Sequence, residues 1–393
     1  MSACNITTLQ VWDTTYSADT VEWCPVEPYL NVFVCGTYHL VQNDTETYDC
    51  SDENGEIDKT KTKCQQEKLG SLHLMVVDRC LVTHKVQTLE VDAVLDTKWC
   101  PKRVENKTLL AAATAKGEIL VFELSESPDL PEETQFHHFL MLLTKVKVFP
   151  DDIVLALSLD WNVRKKEHNG DESLQVVVSD SHGGISLLKF INSTLIVIDC
   201  CVLHNYEAWI AAFDYWNPSV SYSGGDDNKF LVLDSRVGIR NPVLVNKSHE
   251  MGVTSICCND SKEHLLVSGS YDEQLRFWDT RNLRKPISST TLIGGIWRLK
   301  WDPQNFDHLL AACMYGGFCV INSEDVINPK VVTVYKEHKS IAYGCDWCFW
   351  TDAEIRSIVS DRNLKESTKI LSLIATCSFY DHKLCVSIFD RNC

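Results

Sequence analysis

Residues 249–281 read HEMGVTSICCNDSKEHLLVSGSYDEQLRFWDTR. After His249 comes an apolar run, VTSICC (253–258). A polar turn, NDSKEH, follows it, then LLVSGS (265–270), the turn YDE, and QLRFWD (274–279). Short runs rich in β-branched and aromatic residues, separated by turn residues, read as an antiparallel β unit. One such unit cannot bury both of its faces alone, so it needs neighbours of the same kind.

The neighbours are present. An aromatic residue closes the first strand of each unit and is often followed by x-Pro. It falls at Trp23 (WCP), Trp99 (WCP), Trp161 (WNV), Trp216 (WNP), Trp301 (WDP) and Trp347 (WCF), with Cys258 in that slot of the opening stretch. The steps from Trp216 onward are the bare ~40–45-residue period of a propeller, and the earlier steps contain insertions. Each second strand ends in a small-residue turn: VFVCGTYHL (32–40), LLAAATAKG (109–117), VVVSDSHGG (176–184), VSYSGGDDN (220–228), LLVSGSYDE (265–273), LLAACMYGG (309–317) and LIATCSFYD (373–381). Third strands follow, from LHLMVVD (72–78) to LCVSIFD (384–390). Seven units close a ring and remove the sheet edges, which predicts an all-β, seven-bladed WD-type β-propeller over residues 1–393 as a single domain. The strand-like run Ile6–Asp13 has no partner in the first unit. It is expected to add to the last blade as its outer strand and fasten the ring.

The insertions are equally legible. Residues 41–69 are polar and acidic with few core formers, and read as a flexible insertion in blade one. Residues 162–173 form a shorter polar loop in blade three. Residues 125–150 link blades two and three, and residues 351–368 interrupt blade seven.

A formal net charge of −17 argues against a nucleic-acid partner, which would select a basic face. The first residues, MSACNITTLQVW, lack a basic start and an apolar stretch, so no secretory leader is read there. No run approaches the ~18–20 apolar residues of a membrane span. The 18 cysteines are scattered through strand-like runs, which fits reduced thiols in a cytoplasmic protein. Cys345 and Cys348 have zinc-like spacing but no second pair, and residues three apart on a strand point to opposite faces, so no metal is assigned.

In the opening stretch His249, Ser268, Asp272 and Trp278 match the hydrogen-bonded tetrad of WD repeats, a buried polar chain that rigidifies its blade. Other units keep it poorly. Blade seven offers His338, Thr376 and Asp381 with Phe389 in the tryptophan slot. Blade four has His204 and Asp227 with Leu233 there, and blade six has Gly316 at the aspartate position. Where the tetrad is broken its members are free for chemistry, and His204 beside Glu207 is a candidate general base. A capping histidine in a degenerate tetrad is the other reading of His204. Residues entering the innermost strands surround one mouth of the central channel: Asp19, Asp96, Trp209, Met251, Trp297, Arg298 and Tyr343. Deeper lie Glu22, Lys98, Asp160, Tyr215, Cys257, Lys300 and Asp346, which predict a hydrated channel. Trp209, Trp297 and Tyr343 beside acids suit a cationic group, though packing between blades would use the same rings. No Gly-x-Ser-x-Gly elbow, Walker loop or His-Glu-x-x-His occurs. Spacing alone points to a protein-interaction propeller.

Several segments go further. SADTVEWCP (17–25), EAWIAAFDYWNP (207–218), GSYDEQLRFWDTRN (269–282), GGIWRLKWDP (294–303), LLAACMYGGF (309–318) and YGCDW (343–347) together resemble the diphthine methylesterase family, the WD-repeat proteins of diphthamide biosynthesis. The resemblance runs in register from near residue 11 to about 350. GSYDE…WDTR is generic to WD repeats, whereas EAWIAAF, GGIWRLKW and LLAACM are specific. The acidic blade-one insertion and the 351–368 segment depart from it. The resemblance implies hydrolysis of the methyl ester of methylated diphthine on translation elongation factor 2, with no cofactor. It also implies that factor as partner, with other enzymes of the pathway as further candidates, and a monomer. Residue chemistry then suggests His204 and Glu207 as the activating pair, Arg298 at the oxyanion, and Trp209, Trp297, Tyr343, Asp19 and Met251 around the trimethylammonium. A non-catalytic WD-repeat scaffold is the competing expectation, because propellers host both.

Overall fold

The computed structural model describes residues 4–41, 67–126, 136–149, 153–163, 174–360 and 370–391. The described strands form seven sheets, each of four antiparallel strands, arranged in a ring. The sheet of the decisive stretch comprises Val253–Cys258, Leu265–Ser270, Gln274–Asp279 and Ser288–Thr291. Its register opposes Ile256 to Ser268 and Val267 to Phe277. The second strand, LLVSGS, is buried along its whole length because adjacent blades cover both of its faces. Outermost strands such as Thr194–Val202 alternate instead between exposed and buried positions, since one face meets water.

The core lies between blades rather than within them. One cluster joins Val267 and Phe277 of blade five to Ile296, Leu299, Trp301 and Leu309 of blade six. Each such side chain, fully buried, contributes roughly 1.5–3 kcal/mol. The close approach uses glycine: at Gly224 and Gly269 a Cβ would lie 2.6 Å from Val253 and 2.4 Å from Ile296 of the following blade. Polar groups also cross the seams. Asp96 Oδ2 accepts the Leu159 amide at 3.1 Å, Asp160 Oδ2 the Phe213 amide at 2.8 Å, and Asp346 Oδ2 the Trp23 amide at 2.7 Å, the last across the closing seam.

Closure follows the expected device. Asn5–Asp13 pairs antiparallel with Lys383–Asp390, placing Trp12 opposite Leu384 and making the outer strand of blade seven. Arg391 adds a clasp. Its guanidinium meets Asp302 of blade six and Ser372 Oγ (2.8 Å), and lies 5.9 Å over the Trp347 ring.

Five expectations are corrected or bounded. In blade four the first strand is Ile210–Phe213, so Phe213 rather than Trp216 ends it. Trp216 stands in a turn built by Asp214, whose carboxylate accepts the amides of Trp216 (2.7 Å) and Asn217 (3.1 Å). Residues 125–150 are more than a link, because His138–Lys147 is the outer strand of blade two. The 351–368 segment begins with a helix, Asp352–Ser360. Most of the 41–69 insertion (42–66), 164–173 and 361–369 lie outside the described residues. Fourteen described cysteines are free thiols. Cys4, however, is disulfide-bonded, which departs from the all-reduced expectation. Among the described residues no helix is long and apolar enough to cross a membrane.

Candidate functional site

The segments entering the innermost strands and the turns after the second strands meet at one channel mouth. Trp209 stands immediately before Ile210–Phe213. Its indole donates to Asp226 Oδ1 at 3.0 Å, from the turn after Val220–Gly224. Tyr271, in the turn after Leu265–Ser270, sets its ring edge-on to Trp209 (6.3 Å, 84°) and stacks on Trp297 (6.2 Å, 28°). Trp297 meets Trp209 at 5.4 Å and 64°, and stacks on Tyr343 at 4.8 Å and 25°. The wall continues through Phe379 to Tyr38 (5.2 and 5.9 Å). All of these rings are half-buried.

Glycine keeps space before the wall. A Cβ at Gly252 would lie 2.7 Å from Asp226 Oδ1 and 3.0 Å from Tyr271, and one at Gly295 3.4 Å from Tyr271. Met251 stands half exposed (51%) beside Gly252. Glu207 is half-buried. Burial, then Asp226 and Glu207, hold the Tyr271 hydroxyl above its usual range, so the phenol stays neutral.

Below the rings the channel is charged. Arg298 Nη2 pairs with Asp96 Oδ1 at 3.2 Å. Burial pushes the Asp19 carboxyl up to about 8. Arg298 works against that shift and Asp96 with it. For Asp96, burial is outweighed by Arg298, Lys98 and the Leu159 amide, and its carboxyl sits below the usual value. Deeper, Lys98 lies 3.1 Å from Asp96 and 3.7 Å from Glu22. Lys300 meets Glu22 and lies 3.6 Å from Asp346. Burial raises Asp160 and Asp346 to about 7. These groups largely compensate one another, as buried charges must. The opposite mouth narrows to a cavity of about 130 Å³ that includes Tyr215 and Cys257.

The structure brings Trp209, Trp297, Tyr343, Asp19 and Arg298 to this mouth, with Met251 and Glu207 on its rim. It separates His204 from Glu207. His204 Nδ1 bonds Asp227 Oδ1 at 2.8 Å and Nε2 bonds Ser223 Oγ at 2.7 Å, with none of the side chain exposed. The expected pairing with Glu207 is therefore corrected. Both ring nitrogens are engaged, and His204 is the lock of its own blade. The tetrad of blade five is complete: His249 bonds Asp272 (3.0 Å) and Ser268 (2.7 Å), and Trp278 donates to Ser268 (2.8 Å). Arg276 adds a second contact to Asp272 at 2.8 Å. In blade seven His338 bonds Thr376 (2.9 Å) and Ser378 (2.6 Å), and reaches Asp381 only through Ser378.

Sequence reasoning missed Tyr271 and Asp226. Both occupy the turn after a second strand, Val220–Gly224 for Asp226 and Leu265–Ser270 for Tyr271. At the far end of blade six Asp302, Asp307 and His308 bring ligand-type atoms within 4.8 Å of one another. Asp302 already holds the Arg391 guanidinium, and Asp307 holds His308 Nδ1 at 2.6 Å, so the cluster has its cation.

No family model matches the chain. A chain in the crystal structure of the mitotic checkpoint complex superimposes with a TM-score of 0.65 over 98% of this chain and 93% of that one. Its sequence identity is 14%, a likeness of fold alone. Two relatives carry more. The human diphthine methyltransferase is 37% identical over 349 residues, covering 86% of this chain and 74% of the relative. The diphthine methyltransferase homolog of Dictyostelium discoideum is 32% identical over 409 residues, covering 95% and 96%. With the propeller and its mouth in place, these matches establish that the chain belongs to the diphthine methyltransferase family.

Proposed function

We propose that the chain hydrolyses the methyl ester of methylated diphthine on translation elongation factor 2, releasing the acid that a later step amidates to diphthamide. The observation that supports this reading is the half-buried wall of Trp209, Tyr271, Trp297 and Tyr343 with Asp226 and Glu207 around it. A trimethylammonium group has no N–H to donate. Aromatic faces and carboxylates are what hold it, at ~0.5–2 kcal/mol per ring.

The reaction needs little else. Water attacks the ester carbonyl and passes a proton to a base, the tetrahedral oxyanion forms, and methanol leaves with a proton. Arg298 is the cation nearest the mouth and suits the oxyanion. Asp19, whose carboxyl titrates near neutrality, suits the proton transfers. His204 supports the blade rather than the chemistry. No cofactor enters, and a monomer acting in the cytoplasm belongs to the same reading.

The names of the relatives speak of methyl transfer instead. The two readings differ in the sign of a mass change. The purified chain is incubated with methyl-esterified, modified elongation factor 2 without any methyl donor, and the intact mass of the factor is followed. Hydrolysis removes one CH2. A gain of one CH2 that requires a methyl donor would mean transfer. A factor that binds and keeps its mass in both cases would leave the non-catalytic scaffold.

A further inference from the structure

We propose that the groove between blades six and seven, on the same face as the mouth, binds an acidic polypeptide segment of a protein partner. The groove encloses about 460 Å³ between Tyr315, Lys336, Lys339 and Tyr380, with Ile341 and His338 in its floor. That is room for several side chains.

Two observations select the occupant. The first is aromatic exposure. Tyr315 is 84% and Tyr380 70% exposed, the two most exposed large rings among the described residues, and they flank one groove. Both stand on a fixed backbone, and the Tyr380 ring is also packed. Tyr315 sits on a tight turn completed by Gly317 at φ +86°. The Tyr380 amide donates to Ser340 Oγ at 2.9 Å, and its ring packs on Phe379 at 5.0 Å. Rigid, exposed tyrosines are the residues that anchor partners at interfaces.

The second observation is charge. On a chain of net charge −17, Lys336 and Lys339 stand exposed on this groove, and neither ammonium makes an ion pair among the described residues. The acids beside them are occupied. Glu337 is held by Lys383 Nζ at 3.0 Å, and Asp381 accepts from Ser378 and from the Lys339 amide at 3.0 Å. Burial, opposed by Asp381 and aided by Lys383, holds the His338 imidazole down to about 4, so it is neutral. The groove therefore sets two lysines without ion pairs against the single carboxylate of Asp381, a net positive lining between two aromatic anchors and the complement of glutamates or aspartates interspersed with apolar residues. Its aromatic edge runs without a break from Tyr380 through Phe379 and Tyr343 to Trp297, so a bound segment would lead toward the mouth.

The inference stands apart from the proposed reaction, and its test requires no turnover. A fluorescein-labelled peptide of glutamates interspersed with leucine and tyrosine is titrated with the full chain by anisotropy, against the same peptide with lysine for glutamate. The wild type is expected to bind the acidic peptide and not the basic one, less tightly as salt rises. Lys336→Glu with Lys339→Glu should weaken binding by ~10-fold or more, and Tyr380→Ala by a comparable factor, with melting temperatures unchanged because these side chains are exposed. Failure of the wild type to bind the acidic peptide, equal binding of both peptides, or unchanged affinity in both variants would overturn it.

Discussion

Replacing Asp19 by asparagine should make the protein more stable, by an amount that grows with pH. Asp19 is 4% exposed, and burial lifts its carboxyl from the usual 3.8 to about 8. Between those values the folded chain holds a proton that the unfolded chain has released. Folding therefore takes up a proton there, and stability falls as pH rises, by about 1.4 kcal/mol per pH unit. At neutral pH the accumulated cost is roughly 4 kcal/mol. Asparagine keeps the shape and carries no proton to titrate. Arg298 keeps its partner, Asp96, at 3.2 Å, so the substitution strands no cation. Asp160 and Asp346 tilt the stability curve in the same sense, and they do so in both proteins, so the difference between the two isolates position 19. Urea unfolding followed by tryptophan fluorescence across the pH range supplies that difference. It should be near zero below about pH 4, widen up to about pH 8, and then level off. Parallel curves for the two proteins, or a variant that loses stability relative to the wild type toward pH 8, would show that Asp19 is ionised in the fold and that the argument is wrong.

Ser268→Ala strips partners from both His249 and Trp278 and should cost ~2–4 kcal/mol. Ser223→Ala strips only His204, because Leu233 fills the indole position, and should cost about half as much by calorimetry. Trp209→Ala should weaken binding of a trimethylammonium probe ~10-fold in isothermal titration, with Trp209→Phe intermediate because it loses the bond to Asp226 but keeps a ring. Gly252→Ala puts a methyl 2.7 Å from Asp226 Oδ1. It should suppress ester hydrolysis severalfold with little change in melting temperature, and a loss of activity that only follows a lowered melting temperature would place Gly252 in the scaffold alone.

The ring was legible because its signals are local. A strand-ending aromatic, a small-residue turn and a third strand recur in every unit, and six of the seven ruler positions hold. Blade four misled because the turn after Phe213 carries Tyr215 and Trp216, and an indole in a turn is indistinguishable in sequence from one at a strand end. Residues 138–147 were passed over because their outward positions include exposed Met141 and Leu142, so no clean alternation marks the strand. The site was only half visible. Trp209, Trp297 and Tyr343 were found because they precede or begin innermost strands. Tyr271 was hidden inside the most regular repeat, where every residue had a structural explanation. The role of His204 was legible as one of its two readings, the capping histidine of a degenerate tetrad, and the spacing supports it: His204, Ser223 and Asp227 have the same separations, 19 and 23 residues, as His249, Ser268 and Asp272.

The pairing of Asn5–Asp13 with Lys383–Asp390 has a consequence in time as well as in space. Asn5–Asp13 leaves the ribosome long before the strand that partners it. At ~5–20 residues per second it waits on the order of 20 to 70 s with one row of backbone donors and acceptors unmatched. Its side chains suit that wait, since Asn5, Thr7, Thr8, Gln10 and Asp13 interrupt the apolar positions and discourage pairing with foreign strands. The ring thus closes only once Lys383–Asp390 has been made. A nascent chain that stalls before Lys383–Asp390 still displays an open edge, the kind of surface that invites pairing with foreign strands.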